Sequence, residues 1–145
     1  RFVTGARMLS GVLSPLRAGE AYSAIAAAVV KVCLEAVTRE FAREHGTVPG
    51  AAMAVLGLGR LGTRELTAGS DLDLVVLYDF DPERRESDGP RPLDAVVYFI
   101  RLVQRLVAAL TAPTRRGKLY EVDLRLRPSG NKSPVATQFP GFLAY

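Results

Sequence analysis

With 145 residues and 48% apolar content the chain can bury one core, and its single cysteine, Cys33, excludes an internal disulfide and any zinc-binding cysteine set. The net charge of +4 and pI near 9.6 are modest, but the excess cations gather around Arg115, Arg116, Lys118, Arg125, Arg127 and Lys132. That clustering suits a phosphate-bearing ligand, with nucleic acid the less expected partner. We find no signal peptide and no internal repeat.

Ser14 as N-cap and Pro15 at the first helical position open a long helix running to about Glu44, with Gly46 and Pro49 as stop signals. Gly19 is a potential break in its first turns. The alanines from Ala21 to Ala28 permit close helix packing, and Tyr22, Ser23 and Lys31 interrupt the run too often for a membrane span. Cys33 sits among alanines and valines as an inert buried thiol. His45, the lone histidine, lies beside Gly46 in a C-terminal capping position.

Ala52 to Leu58 reads as a buried strand that runs into the turn Gly59-Arg60-Leu61-Gly62. Glycines at such a junction let backbone approach a ligand, and a short helical turn beginning near Thr63 would aim free N–H groups at phosphate oxygens. The string G-L-G-R-L-G matches a dinucleotide fingerprint, but Thr67, Ala68, Gly69 and Ser70 cut the following helix short, and the next strand arrives too soon for a crossover helix.

That next strand begins in Gly69-Ser70-Asp71-Leu72-Asp73-Leu74-Val75-Val76-Leu77. Side chains alternate along a strand with a rise of about 3.3 Å, so Asp71 and Asp73 share a face with Cα atoms about 6.6 Å apart. Two such carboxylates can hold the cations used in phosphoryl or nucleotidyl transfer. Taken alone, D-x-D is more often a half-exposed edge strand.

Asp79 to Pro92 is charged and rich in Pro and Gly, so it reads as a mobile loop in which Asp79 and Asp81 are solvated. Pro92 starts a second helix whose Val96, Phe99, Ile100, Val103, Leu106, Val107 and Leu110 recur at helical spacing until Pro113. From Lys118 to Arg127 the pattern changes to period two. Tyr120, Val122, Leu124 and Leu126 fall on one face, and Glu121, Asp123, Arg125 and Arg127 on the other. A solvated face explains this alternation; so does a site in which Asp123 binds metal and its flanking arginines fork onto a triphosphate. Pro128 ends the strand, and the turn residues Ser129-Gly130-Asn131-Lys132 lead to a short Val135–Thr137 strand, together a hairpin.

Three stretches, G-L-G-R-L-G-T-R-E-L, G-S-D-L-D-L and L-Y-E-V-D-L-R-L-R-P-S-G-N, together resemble the catalytic core of the glutamine synthetase adenylyltransferases, within the DNA polymerase β-like nucleotidyltransferase superfamily. The likeness covers nearly all of the chain, including Glu86-Ser87-Asp88-Gly89-Pro90. It implies an α+β nucleotidyltransferase (polymerase β-like) fold, a small mixed sheet packed against helices and preceded by a long N-terminal helix. Residues 1–50 would pack as a helical segment on a catalytic core of 51–145. The resemblance also implies that Asp71, Asp73 and Asp123 bind magnesium (manganese as an alternative), with Asp123 the candidate general base. Gly59, Arg60, Gly62, Ser70, Arg125 and Arg127 would bind the nucleotide, ATP being the substrate. Arg60 stands where the superfamily usually has serine, and Ser133 where many relatives carry glycine.

Such proteins carry two catalytic halves, one attaching AMP to a tyrosine of glutamine synthetase and one removing it by phosphorolysis. The forms G-S-D-L-D-L and L-Y-E-V-D resemble the attaching half. The removing half, or a nucleotidyltransferase with another acceptor, is the alternative; the presence of all three acids argues against a regulatory module without catalysis. The resemblance further implies a cytoplasmic protein that meets glutamine synthetase and, through its full-length parent, PII-type signal proteins. The chain reads as an excised fragment, lacking a helical domain that would cover the nucleotide, and is expected to bind ATP weakly and turn over nothing alone.

Overall fold

The computed structural model describes residues 1–125 and 134–143. The chain opens with a helix the periodicity did not announce, α1 (Phe2–Leu9), and continues into α2 (Pro15–His45). Ser14 caps α2 as expected: its backbone is extended and its Oγ accepts from the Arg17 N–H at 3.3 Å. Gly46, at φ 71°, ends it in the left-handed region that only glycine enters cheaply. Gly19 does not break the helix. It is buried where a Cβ would lie 2.9 Å from the Arg64 carbonyl oxygen, so it marks a close crossing rather than a bend.

Strand β1 (Ala52–Gly57) is followed by a four-residue turn of helix, α3 (Gly59–Gly62), and by β2 (Leu72–Asp79). The helical turn therefore begins at Gly59 and not near Thr63, because Gly59 adopts φ 54° and redirects the chain at once. Helix α4 spans Ala95–Thr111. It starts three residues later than Pro92 suggested, since Asp94 is the cap and accepts the Val96 N–H at 3.1 Å. The short strands β3 (Val122–Asp123) and β4 (Thr137–Gln138) and the helix α5 (Phe139–Leu143) complete the described elements.

These elements form a mixed α/β structure with a small mixed sheet. β1 runs antiparallel to β2, from Ala52 opposite Asp79 to Gly57 opposite Leu74. β3 and β4 both run parallel to β2, at Leu72–Asp73 and at Leu77–Tyr78, along the edge that β1 leaves open. Among the described residues β3 and β4 each pair with β2 and not with each other; the expected hairpin turn at 129–132 lies outside the described residues.

Of the alternation read over Lys118 to Arg127, Tyr120 is buried and Glu121 and Arg125 are exposed, but Val122, Asp123 and Leu124 are all half-buried, and among the described residues of this segment only Val122 and Asp123 form strand. Asp123 Oδ1 accepts the Arg125 N–H at 2.8 Å, a local side-chain-to-backbone bond just after β3. Leu126 and Arg127 lie outside the described residues.

One face of the sheet is apolar and covered by helices. Val76 and Tyr78 pack with Phe41 of α2 and Tyr98, Phe99, Leu102 and Val103 of α4. Leu72 and Leu74 pack with Tyr22, Ala26 and Val30 of α2 and Leu106 and Leu110 of α4. Since strand side chains alternate, Asp73 is left on the opposite face. Cys33 is half-buried at the edge of the second cluster, less enclosed than its sequence neighbours implied.

By length and composition α2, with an 18-residue window of mean hydropathy 1.6, is apolar enough to cross a membrane, which the interruptions at Tyr22, Ser23 and Lys31 did not suggest. Here it supplies residues to both clusters, although only 22% of that window is buried.

The connection from Asp79 to Pro92 is tied down rather than mobile. Gly89 N–H donates to the His45 carbonyl at 3.1 Å, Arg91 N–H to the Glu44 carbonyl at 2.8 Å, and Thr47 N–H to Asp88 Oδ1 at 2.8 Å. His45 is part of this tie and not a helix cap: it is buried, its Nδ1 lies 2.7 Å from the Arg91 carbonyl oxygen, and its ring packs 4.5 Å from Phe41. Asp79 and Asp81 remain on the surface, each accepting a nearby backbone N–H.

Candidate active site

Asp73 and Asp123 are partners in the β2–β3 register. Partners on adjacent strands project to the same face of a sheet, so the structure brings these two carboxylates side by side across one strand spacing, about 4.8 Å. Asp71, just before β2, shares an open cleft of about 490 Å³ with Asp123, Arg125 and Glu121. Glu121 was placed on the Asp123 face by the alternation without being singled out. Its position two residues before Asp123 was the available signal. It is held by Lys118 Nζ at 2.8 Å.

Gly59 belongs to the same site through Asp73. An ideal Cβ at Gly59 would lie 2.5 Å from Asp73 Oδ2, and the Leu58 N–H donates to the Asp73 carbonyl at 2.8 Å. The glycine turn is thus pressed against the first carboxylate of the pair, and any side chain at Gly59 would force that carboxylate aside. The first N–H groups of α3 have no acceptor within their own helix and are available to a ligand. Arg60 is exposed on this turn. Gly62 instead lies where a Cβ would be 2.9 Å from the Gly57 carbonyl oxygen, which makes it a packing residue of the turn. Ser70 is engaged apart from these groups. Its Oγ accepts the Thr67 N–H at 3.0 Å and lies 2.7 Å from Thr67 Oγ1.

Arg125 sits on Asp123 as a fork. Its Nε lies 3.0 and 2.9 Å from the two carboxylate oxygens, and its Nη2 lies 2.6 Å from Oδ2. The hydrogen bond with Asp123 first, and then the charges of Asp123, Asp73 and Asp71, hold the guanidinium pKa above its ordinary value. All three acids therefore act on one cation. Arg125 is 73% exposed against 16% for Asp123, so the side chain reaches out over the cleft while its head closes the carboxylate.

Oxygen donors of this kind suit magnesium, which is usually held by one or two carboxylates together with water and phosphate oxygens. Two neighbouring carboxylates meet that requirement. Among the described residues no group of three or more Asp, Glu, His or Cys side chains is close enough to hold one ion, and Arg125 covers Asp123.

The profile of the family described as glutamate-ammonia ligase adenylyltransferase matches residues 2–145, and the chain belongs to that family. Among curated relatives it is similar to proteins named bifunctional glutamine synthetase adenylyltransferase/adenylyl-removing enzyme. It is 57% identical over 145 residues to the one from Brucella suis biovar 1. The corresponding identities are 53% for Rhizobium meliloti and 52% for Mesorhizobium japonicum, again over 145 residues. The alignments cover 100% of this chain and 15% of each of these relatives.

Proposed function

We infer that this chain is the nucleotidyl-transfer core of a larger glutamine synthetase adenylyltransferase, with a polymerase β-like fold, and that the parent moves AMP from ATP to a tyrosine of glutamine synthetase. The observation that carries the reading is the Asp73–Asp123 register pair with the Gly59 turn seated against it. The relatives' names support glutamine synthetase as the acceptor protein and AMP as the group transferred.

The turn at Gly59–Gly62, with Arg60, offers N–H and guanidinium donors to the triphosphate. Arg125, exchanging its carboxylate for phosphate oxygens, adds a planar fork suited to them. Asp71, Asp73 and Asp123 give the site the negative charge that holds magnesium, which when bound polarises phosphate oxygens and offsets charge developing in transfer. Asp123 is the base that takes the tyrosine proton as the phenolic oxygen attacks the α-phosphorus and the bond to pyrophosphate breaks. Arg127 and Ser70 complete the nucleotide site in this reading, Ser70 by releasing the hydroxyl that bonds Thr67. PII-type proteins as regulators and a cytoplasmic setting belong to the same reading.

The attaching reaction is preferred to phosphorolysis on the form of the G-S-D-L-D-L and L-Y-E-V-D segments. Labelled ATP, magnesium, glutamine synthetase and the full-length parent with Asp73→Asn test it. Loss of label on the synthetase with phosphorolysis intact supports attachment; the reverse assigns the chain to the removing half.

A further inference from the structure

On the helix side of the sheet, behind the glycine turn, a cleft of about 470 Å³ opens between α2 and the β1–α3 junction. Its wall is apolar: Ala27, Val30 and Leu34 from α2 face Val55, Leu61 and Leu74. Lys31 and Arg64 bring two positive charges to the cleft, and no acidic side chain lines it among the described residues. Neither cation makes an ion pair among the described residues. Arg64 is also the one described non-glycine residue at positive φ, 61°. It follows α3 at the position where helices ordinarily place glycine, with the Glu65 N–H returning to the Arg60 carbonyl at 2.8 Å. A side chain kept in a conformation that disfavours one points to a use for it.

Small-molecule sites are mostly apolar clefts of about this size with a few convergent polar groups. We propose that this cleft binds a small amphipathic anion, an apolar body against Ala27, Val30 and Leu61 with its acid group between Lys31 and Arg64. It lies behind the acid face rather than on it, because Leu74 and Asp73 point to opposite sides of β2. It nevertheless shares parts with that face. Leu61 and Gly57 line the cleft, and Gly59, between them in sequence, touches Asp73. A ligand that wedges Leu61 and Arg64 away from α2 therefore shifts the turn seated on Asp73, which makes the cleft an effector site. That coupling rests on the reading of the turn as a phosphate cradle; the existence of the ligand site does not.

The test uses the full-length parent and the fluorescent sulfonate 8-anilinonaphthalene-1-sulfonate as probe, with octanoate and the uncharged 1-octanol as competitors. We expect saturable binding of one probe per chain, displaced by octanoate and far less by octanol. Lys31→Gln with Arg64→Gln should weaken it roughly tenfold or more, the loss expected for charged hydrogen bonds. Ala27→Phe, which fills the cleft, should abolish it; the surface double variant keeps the test decisive if Ala27→Phe does not fold. Probe binding that is indifferent to the charge variant, equal displacement by octanol, or no binding because another part of the parent covers the cleft overturns the site. Coupling is read separately, as a shift of ATP affinity with octanoate in the wild type and none in the double variant. If the probe binds as described and ATP affinity does not move, the coupling is overturned and the site stands.

Discussion

Gly59→Ala is the sharpest perturbation of the site, because two independent costs meet at one methyl group. The first is local: at φ 54° an L side chain is disfavoured by about 1–2 kcal/mol, which lowers Tm by about 3–8 °C in a chain of this size. The second falls on the chemistry. The new Cβ would stand 2.5 Å from Asp73 Oδ2, and ordinary contact begins at 3.4 Å, so carboxylate and turn must separate by about 0.9 Å. A misplacement of about 1 Å in a catalytic constellation costs about 100-fold in rate.

Gly11→Ala is the matched control. Its backbone is also at positive φ, 76°, and its Cβ would meet nothing within 4 Å, so it carries the first cost without the second. Thermal unfolding of both variants, with single-turnover AMP transfer by the full-length parent, separates the two costs. A Gly59→Ala parent that transfers AMP at the wild-type rate while losing the expected stability would refute the claim that the turn and Asp73 work as one unit. Equal rate losses in both variants would refute the assignment of the effect to the carboxylate.

Asp73→Asn and Asp123→Asn should each abolish AMP transfer with the fold unchanged by circular dichroism, since asparagine keeps the shape and removes the charge that holds a divalent ion; retained transfer by either would remove that residue from the machinery. Arg125→Gln should weaken ATP binding roughly tenfold yet tighten Mn²⁺ measured by electron paramagnetic resonance without nucleotide, because the fork no longer covers Asp123; weaker Mn²⁺ binding would show the arginine organises the carboxylate instead. Asp94 has a pKa below its ordinary 3.8, chiefly through its hydrogen bond from Arg85. Its contribution is therefore complete above pH 3.8 and fades as pH falls through the lowered value. Asp94→Ala should cost about 1 kcal/mol of stability at pH 7 through the lost cap, and less in strong acid; a pH-independent difference would refute the ionic part.

Much of the element inventory is written locally. Ser14-Pro15 and Gly46 bound α2 because a cap and a left-handed residue act on their own neighbours, and the apolar spacing from Val96 to Leu110 follows from one helix meeting one core. The pleat alone predicts Asp71 and Asp73 on one face, with Asp71 falling just before β2, and the alternation from Tyr120 matches burial at Tyr120, Glu121 and Arg125. The N-terminal α1 is the exception: no side chain caps its start, and its apolar Phe2, Val3 and Leu9 are exposed rather than set against the core.

Tertiary structure decided the rest, because strand pairing joins residues far apart in sequence. No local rule puts Asp123 opposite Asp73; that depends on which edge of β2 stays open after β1 has paired. Nor does the loop composition from Asp79 to Pro92 reveal its anchoring to His45, Thr47 and Glu44, whose backbone groups become partners only when the end of α2 comes alongside. The glycine turn shows both levels at once. Sequence supplied the residue able to make it, and only folding brought Asp73 to the place where its missing side chain is required.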